Sequence, residues 1–274
     1  MAVTAPSRGP SSGRYFVDLW RDALILLGGL WAGTINTIVG SGTLVTFPIL
    51  VALGYAPVTA TISNAMGLVA GNVTGAWGYR EELKGNGRTL ARLLPASLLG
   101  GIAGAALLLN LPETVFGLVA PFLIVVALGF VIFQPKLQRW VRRRAETKAP
   151  TRSHPLALTV LVFLAGVYGG YFVAAQGILL VGILGIFLSG TMQSANAMKN
   201  VLVLGVNLIA AVSYMLFAFD RIEWWVVLLI AVGSLVGGVI GSKVGRRLSP
   251  LILRSVIVVL GLVALYVMIV RLVS

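Results

Sequence analysis

Hydrophobic residues run along this chain in long stretches that are separated by short clusters of glycine, proline and charged residues. No charged residue occurs from 23 to 79 or from 255 to 270, whereas about 20 apolar residues suffice for one membrane-spanning helix. The pattern predicts eight long transmembrane helices and two short, broken or half-length helices. The expected long helices cover 22–39, 58–78, 90–109, 113–133, 155–174, 194–217, 224–242 and 250–271, and the short segments cover 43–53 and 177–188.

The composition indicates an all-α integral membrane protein. Of the 274 residues, 58% are hydrophobic and only 11% are charged, and the mean hydropathy is +0.98. So little polar surface could not cover a soluble domain. The chain has no cysteine, which excludes disulfides and thiolate metal sites, and nothing in it predicts a cofactor or a metal. Residues 1–22 lack the features of a signal peptide and are expected to form a mobile tail.

Two parts of the sequence repeat one plan. The stretch SLLGGIAGA at 97–105 returns as SLVGGVIGS at 234–242. With a small shift, Gly42 aligns with Gly177, and further matches follow in the same order: Asn64 aligns with Lys199 and Asn72 with Asn207. Duplicated units are a common building plan of transporters. We therefore expect a first transmembrane repeat at 23–133, a basic linker at 134–154 and a second transmembrane repeat at 155–274.

The basic residues indicate an orientation in the membrane. The net charge is +13, and seven Lys and Arg residues lie in the linker at 134–154, which predicts a cytoplasmic linker near anionic lipid headgroups rather than a nucleic-acid site. If the short segments cross the bilayer, the second half is inverted and the loops after Tyr79 and Lys243 share the side of the linker. If they are re-entrant, the halves are parallel. The charges fit an inverted repeat better.

A candidate site lies where the apolar pattern is broken. The stretch GTINTIVGSGTLVTFP at 33–48 places polar and flexible residues inside a hydrophobic run, and AAQGIL at 174–179 occupies the matching place in the second half. Lipid cannot satisfy a broken backbone, so such breaks must pack against protein or line a wet cavity. Amides at the start of the short helix that follows each break could bind an anion. The alternative is a packing kink without a ligand.

The long helices after the breaks add polar faces. Asn64 and Asn72 share one helical face, and Asn196, Asn200 and Asn207 share another. Lys199 is the one charged residue clearly inside an expected span, and it either binds an anionic substrate or extends its stem to a nearby surface. The complete candidate substrate site comprises Asn36, Ser41, Gly42, Thr43, Asn64, Asn72, Gln176, Gly177, Asn196, Lys199, Asn200 and Asn207.

The order of these pieces resembles a known family. The stretches GSGTLVTFPILVALGYAPVTATISN, GVYGGYFVAAQGILLVGIL, ANAMKN and GSLVGGVIGSKVGRRLSPLILR are similar to the sulfite exporter TauE/SafE family of membrane permeases. The resemblance covers nearly the whole chain after residue 22. It implies a permease for a small anion such as sulfite, sulfoacetate or another organosulfur compound.

The residues leave alternatives open at this stage. An anion channel could use the same amides, and it would conduct without the saturation and counterflow that a carrier shows. An enzyme is not expected, because the sequence contains neither a His/Glu zinc motif nor paired carboxylates within a span. The expected partners are the small anion, the lipid bilayer and a coupling proton or sodium ion.

Overall fold

The structure, a computed structural model, describes residues 12–147, 155–188, 191–244 and 250–273. These residues form ten α-helices, which confirms the all-α fold class. In chain order the helices are α1 (Ser12–Ile38), α2 (Thr43–Ala52), α3 (Pro57–Gly78), α4 (Gly87–Asn110), α5 (Glu113–Thr147), α6 (Pro155–Tyr171), α7 (Gln176–Phe187), α8 (Met192–Phe217), α9 (Trp224–Val244) and α10 (Pro250–Val273).

Each expected segment is helical, and most helix ends lie within three residues of their expected bounds, but two helices extend much further. The helix α1 begins at Ser12, so that residues 12–22, expected in the tail, belong to it. One anchor is Arg21, which donates to Leu53 O at 3.1 Å. The helix α5 continues to Thr147 through residues expected in the linker. Those residues are mostly good helix formers, and they extend a helix that is already nucleated. The remainder of the expected tail and linker, including His154, lies outside the described residues.

Within the described residues, four helices are long and apolar enough to cross a membrane: α4, α8, α9 and the part of α5 at Glu113–Lys136. Large apolar side chains also point outward, as Leu118 and Phe122 of α5 and Phe217 of α8 show, with exposed fractions of 66–78%. Such surfaces are unfavourable in water and suit contact with lipid chains. The protein is therefore a multi-pass membrane protein.

The short helix α2 runs back alongside α1 in the opposite direction. Gly42, at the start of α2, lies against Ala32 of α1, and Leu53, just after α2, accepts the hydrogen bond from Arg21 near the other end of α1. The two helices thus form a hairpin. The chain returns to the level of Arg21 before α3 begins, so α1 and α3 start at the same end of the molecule.

The helices pack as two groups that each combine both halves of the sequence. The first helix group consists of α1, α2, α3, α9 and α10, because α1 and α3 pack on α9 and α2 packs on α10. The second helix group consists of α4 to α8, because α4 packs on α6 and α8 while α5 packs on α7. The groups meet mainly where α3 crosses α8 and where α5 lies against α10.

Glycines bring the helices of each group close together. Gly33 of α1 faces the backbone of Ser234 in α9, and Gly166 of α6 faces the backbone of Ser97 in α4. A Cβ atom at either glycine would overlap the facing carbonyl group. Membrane helices commonly associate through such small residues, because van der Waals contact replaces the hydrophobic driving force that lipid removes. Both interfaces therefore depend on residues without side chains.

Candidate functional site

Two helix breaks form the centre of the candidate site. Residues 39–42 separate α1 from α2, and residues 172–175 separate α6 from α7. Gly40 has a φ of +88°, and Val173 and Ala175 have φ values of 68° and 59°. The left-handed region is costly for Val and Ala, each by roughly 1–3 kcal/mol. The surrounding packing must therefore hold the second break in this conformation.

The two breaks touch each other. The Gly177 amide, in the first turn of α7, donates to Gly40 O at 3.1 Å. A Cβ atom built on Gly40 would lie 2.5 Å from the Gly177 Cα, which is closer than real Cβ atoms approach other atoms. Only glycine at both positions lets the backbones meet. The contact joins the first helix group to the second, and it engages an amide that the sequence placed in an anion site.

Lys199 reaches into the break from α8. Its side chain is fully buried, and Nζ donates to Asn36 O at 2.8 Å and Thr37 O at 3.3 Å. Asn196 Nδ2 also donates to Thr37 O, at 3.2 Å. Unpaired carbonyls and a partial negative charge end every helix, so a cation at the end of α1 is favourable. The lysine does not extend to a surface, as one reading of the sequence allowed.

Lys199 is the only buried charged side chain among the described residues. The ion pairs found in that part of the chain join Arg80 and Lys84 to Glu81 and Arg221 to Glu113, and all of these side chains are partly exposed. No described acidic side chain is paired with the Lys199 ammonium group. Its partners are neutral carbonyls, so the positive charge has no counter-charge among the described residues.

The polar side chains at the first break bond to one another. Asn36 Nδ2 donates to Asn72 Oδ1 at 2.6 Å, and Asn36 Oδ1 accepts from the Gly42 amide at 3.3 Å. Asn64 Nδ2 donates to Thr43 Oγ1 at 3.1 Å, and Asn64 Oδ1 accepts from Thr46 Oγ1. This network ties α1, α2 and α3 together. It also engages the Gly42 amide within the protein.

Several other buried polar atoms have no hydrogen-bond partner. Gln176 and Asn207 are each fully buried, and both carboxamide atoms of each lack a partner. Leaving one buried polar group unsatisfied costs roughly 1–3 kcal/mol, so a cluster of them marks a place where a ligand or water could bind. The remaining atoms of this kind in the predicted site are Ser41 Oγ, Asn72 Nδ2, Asn196 Oδ1 and Asn200 Nδ2.

The structure buries all twelve residues that the sequence placed in the site. It brings Lys199 and Asn196 directly to the end of α1, and it joins Asn36 to Asn72. Sequence analysis did not single out Gly40 or Thr37, although both lie in the quoted polar stretch. Both residues act through the backbone. Gly40 allows the close approach to Gly177, and Thr37 provides a carbonyl acceptor.

Comparisons with known proteins place the chain among transporters. The chain is 26% identical over 241 residues to a "Probable membrane transporter protein" of Haemophilus influenzae, covering 87% of this chain and 91% of the relative. It is 25% identical over 245 residues to "Probable membrane transporter protein ORF9" of a Sinorhizobium species, covering 88% and 89%. No solved structure matches the chain.

The names of these relatives describe transport across membranes rather than catalysis. Together with the helices long enough to cross a bilayer, they identify a membrane transporter. The match to a family covers residues 25–268, which includes both breaks and every residue of the candidate site. The chain therefore belongs to the sulfite exporter TauE/SafE family.

Proposed function

We propose that the protein is a secondary transporter that carries a small anion across the membrane by alternating access. One observation carries the proposal: Lys199 is fully buried, lacks a described acidic partner and lies where the two breaks meet. A cation inside a membrane protein costs several kcal/mol unless it is paired or hydrated. A bound small anion would supply the missing counter-charge, and the neighbouring unpartnered amides would supply hydrogen bonds.

The proposed substrate is sulfite or an organosulfur anion such as sulfoacetate. The charge of Lys199 and the carboxamides nearby support a small oxyanion. The sulfur preference is supported by the description of the family. The broken helices support a carrier, since secondary transporters commonly place their substrate between discontinuous helices of two repeats.

We also propose that the two halves form an inverted repeat. In such a repeat, α1 corresponds to α6 and α9 corresponds to α4. The contact of Gly33 with Ser234 between α1 and α9 then corresponds to the contact of Gly166 with Ser97 between α6 and α4. The hairpin of α1 and α2 adds one pass to the first half, and the corresponding helices α6 and α7 are proposed to add one to the second, so that each half has five passes. An odd number inverts the second half relative to the first.

The proposed location is the cell membrane, and specifically a bacterial inner membrane, because both relatives are bacterial proteins. The loop with Arg80 and Lys84, the basic end of α5 and Lys243 at the end of α9 then share the cytoplasmic side. Clustered Lys and Arg favour that side.

The bodies that move in this mechanism are proposed to be the two helix groups rather than the two halves of the sequence. Glycine faces hold α1 to α9 and α4 to α6 with backbone contact, so sliding at these interfaces would create overlap. The crossing of α3 with α8 and the contact of α5 with α10 join the groups. Motion at these two places would expose the site to either side in turn.

Counterflow in proteoliposomes tests the function. Vesicles loaded with unlabelled sulfite are expected to accumulate labelled sulfite transiently, with saturable rates, whereas sulfate and chloride serve as comparison anions. Transport without counterflow or saturation would instead support an anion channel. Repeating the assay with imposed proton and sodium gradients identifies the coupling ion, because only the coupled gradient accelerates transport.

A further inference from the structure

The two breaks differ in how their polar groups are satisfied. At the first break, Asn36 and Asn72 bond to each other at 2.6 Å. In the proposed repeat, Asn72 corresponds to Asn207. Because Gly33 corresponds to Gly166, the position of Asn36, three residues after Gly33, corresponds to Gly169. At that position the second half therefore has no side chain, and the carboxamide of Gln176 lies against Gly169 in the space that a Cβ would need.

Gln176 thus occupies the place in the second half that Asn36 occupies in the first. The expected partner would be Asn207. Neither carboxamide atom of Gln176 or of Asn207 has a partner, however, although both side chains are fully buried. At the first break, three of the four carboxamide atoms of Asn36 and Asn72 have a partner, whereas at the second break none of the four carboxamide atoms of Gln176 and Asn207 has one.

The position of Asn207 on α8 supports its assignment to the second break. Lys199, about two helical turns before it, passes its stem over Gly177. Tyr214, about two turns after it, donates from its hydroxyl group to Gly170 O at 3.0 Å. The segment of α8 that carries Asn207 therefore spans the region between the end of α6 and the start of α7.

We propose that the ligand is held at the second break by the carboxamides of Gln176 and Asn207, and that the first break is its structural counterpart. This inference rests on the proposed function and deepens it. Each carboxamide offers unpartnered donors and an unpartnered acceptor. A ligand with acceptor atoms alone would leave both carbonyl oxygens unsatisfied. The site therefore favours a small oxyanion that also carries an O–H or N–H donor. Of the proposed substrates, hydrogensulfite, the protonated form of sulfite, carries such a proton, whereas ionised sulfoacetate does not.

Two ligands that differ by one hydroxyl group test the selectivity. Ethanesulfonate offers only acceptors, whereas 2-hydroxyethanesulfonate adds one O–H donor. The purified protein in detergent is expected to bind the hydroxylated ligand at least about tenfold more tightly, as measured by calorimetry, because an unpaired polar group in a binding site strongly disfavours the analogue that lacks its partner. Equal affinities, or binding of neither sulfonate, would overturn the proposed selectivity.

Substitutions at the second break test the location. Both Q176L and N207L are expected to reduce the preference for the hydroxylated ligand to less than about twofold. The matched control is S213A, on the same helix as Asn207, because the Ser213 hydroxyl bonds to its own helix at Ile209 O. The S213A protein should prefer the hydroxylated ligand as strongly as the wild type does. A preference retained in both Q176L and N207L would place the ligand elsewhere.

Thermal stability supplies a readout that does not depend on the ligand. N72L breaks the bond to Asn36 and should lower the melting temperature, whereas N207L removes only unpartnered atoms and should leave it unchanged or raise it. A fall in N207L as large as that in N72L would show that Asn207 is satisfied within the protein and would overturn the inference. Sulfite counterflow by the wild type decides the proposed function separately.

Discussion

At the scale of the residue, Lys199 has an observed contact with the backbone and a proposed role in binding the anion. Its ammonium group closes the carbonyl end of α1, and its charge has no described acidic partner. The sequence indicated a lysine within a span, but the carbonyl acceptors could not be predicted, because they depend on how α8 crosses the end of α1. The spacing of residues shows which side chains share a face of one helix. It does not predict the contact between Lys199 and Asn36, which lie 163 positions apart.

The substitution K199M tests the charge of this side chain. Anion affinity is expected to fall at least about tenfold, or about 1.4 kcal/mol, because methionine retains the length of the stem but not the charge. Stability should change less, since removal of a buried charge offsets the loss of two hydrogen bonds to carbonyls. Affinity is measured by ligand-dependent thermal shift.

The control for K199M is K243M, which removes an exposed lysine near the end of α9. It should retain wild-type affinity, so that a general effect of net charge can be separated from an effect at the site. An affinity in K199M equal to that in K243M would exclude the ammonium group from anion binding.

At the scale of the element, hydropathy predicted the helices well and their ends less well. The expected segments at 43–53 and 177–188 agree closely with α2 (Thr43–Ala52) and α7 (Gln176–Phe187), because polar residues interrupt the pattern at both breaks. The start of α1 was missed, because charged residues there reduce hydropathy without opposing a helix. The end of α5 was missed for the same reason. Hydropathy reports where lipid begins, and a helix can continue beyond that point.

The contact between the breaks is tested by G40A. Alanine at this position combines a left-handed φ of +88° with overlap onto the Gly177 backbone. The matched control is G54A, because Gly54 has a φ of +99° but no atom within 4 Å of a built Cβ. G54A should cost about 1 kcal/mol of stability from backbone strain alone, whereas G40A should cost several times more. Denaturation midpoints measure both. Equal effects would mean that the breaks do not need to touch.

At the scale of the whole molecule, the two helix groups define what should move. The chain has no native cysteine, so pairs of cysteines can be introduced without further changes. The pair G101C/V206C lies within the second helix group, where Gly101 of α4 faces Val206 of α8 without backbone overlap. The pair L128C/G261C joins α5 of the second group to α10 of the first, where Leu128 faces Gly261.

Oxidation of the two cysteine pairs should have opposite effects on transport. A disulfide in G101C/V206C should leave sulfite counterflow near the rate of the reduced form, because it joins helices that move together. A disulfide in L128C/G261C should reduce counterflow at least about tenfold, and reduction should restore it. Full transport by the oxidised L128C/G261C protein would mean that the groups do not move relative to each other at this contact.

Each helix group contains helices from both halves of the sequence, and this affects how the protein folds during synthesis. Thr34 of α1 donates to Gly237 O of α9 at 3.0 Å, across 203 residues of sequence. During synthesis, α1 therefore emerges long before the helix that covers its glycine face, and the first half alone has no partner for that face. Completion of the first group requires nearly the entire chain, so folding of this protein in the membrane ends late rather than repeat by repeat.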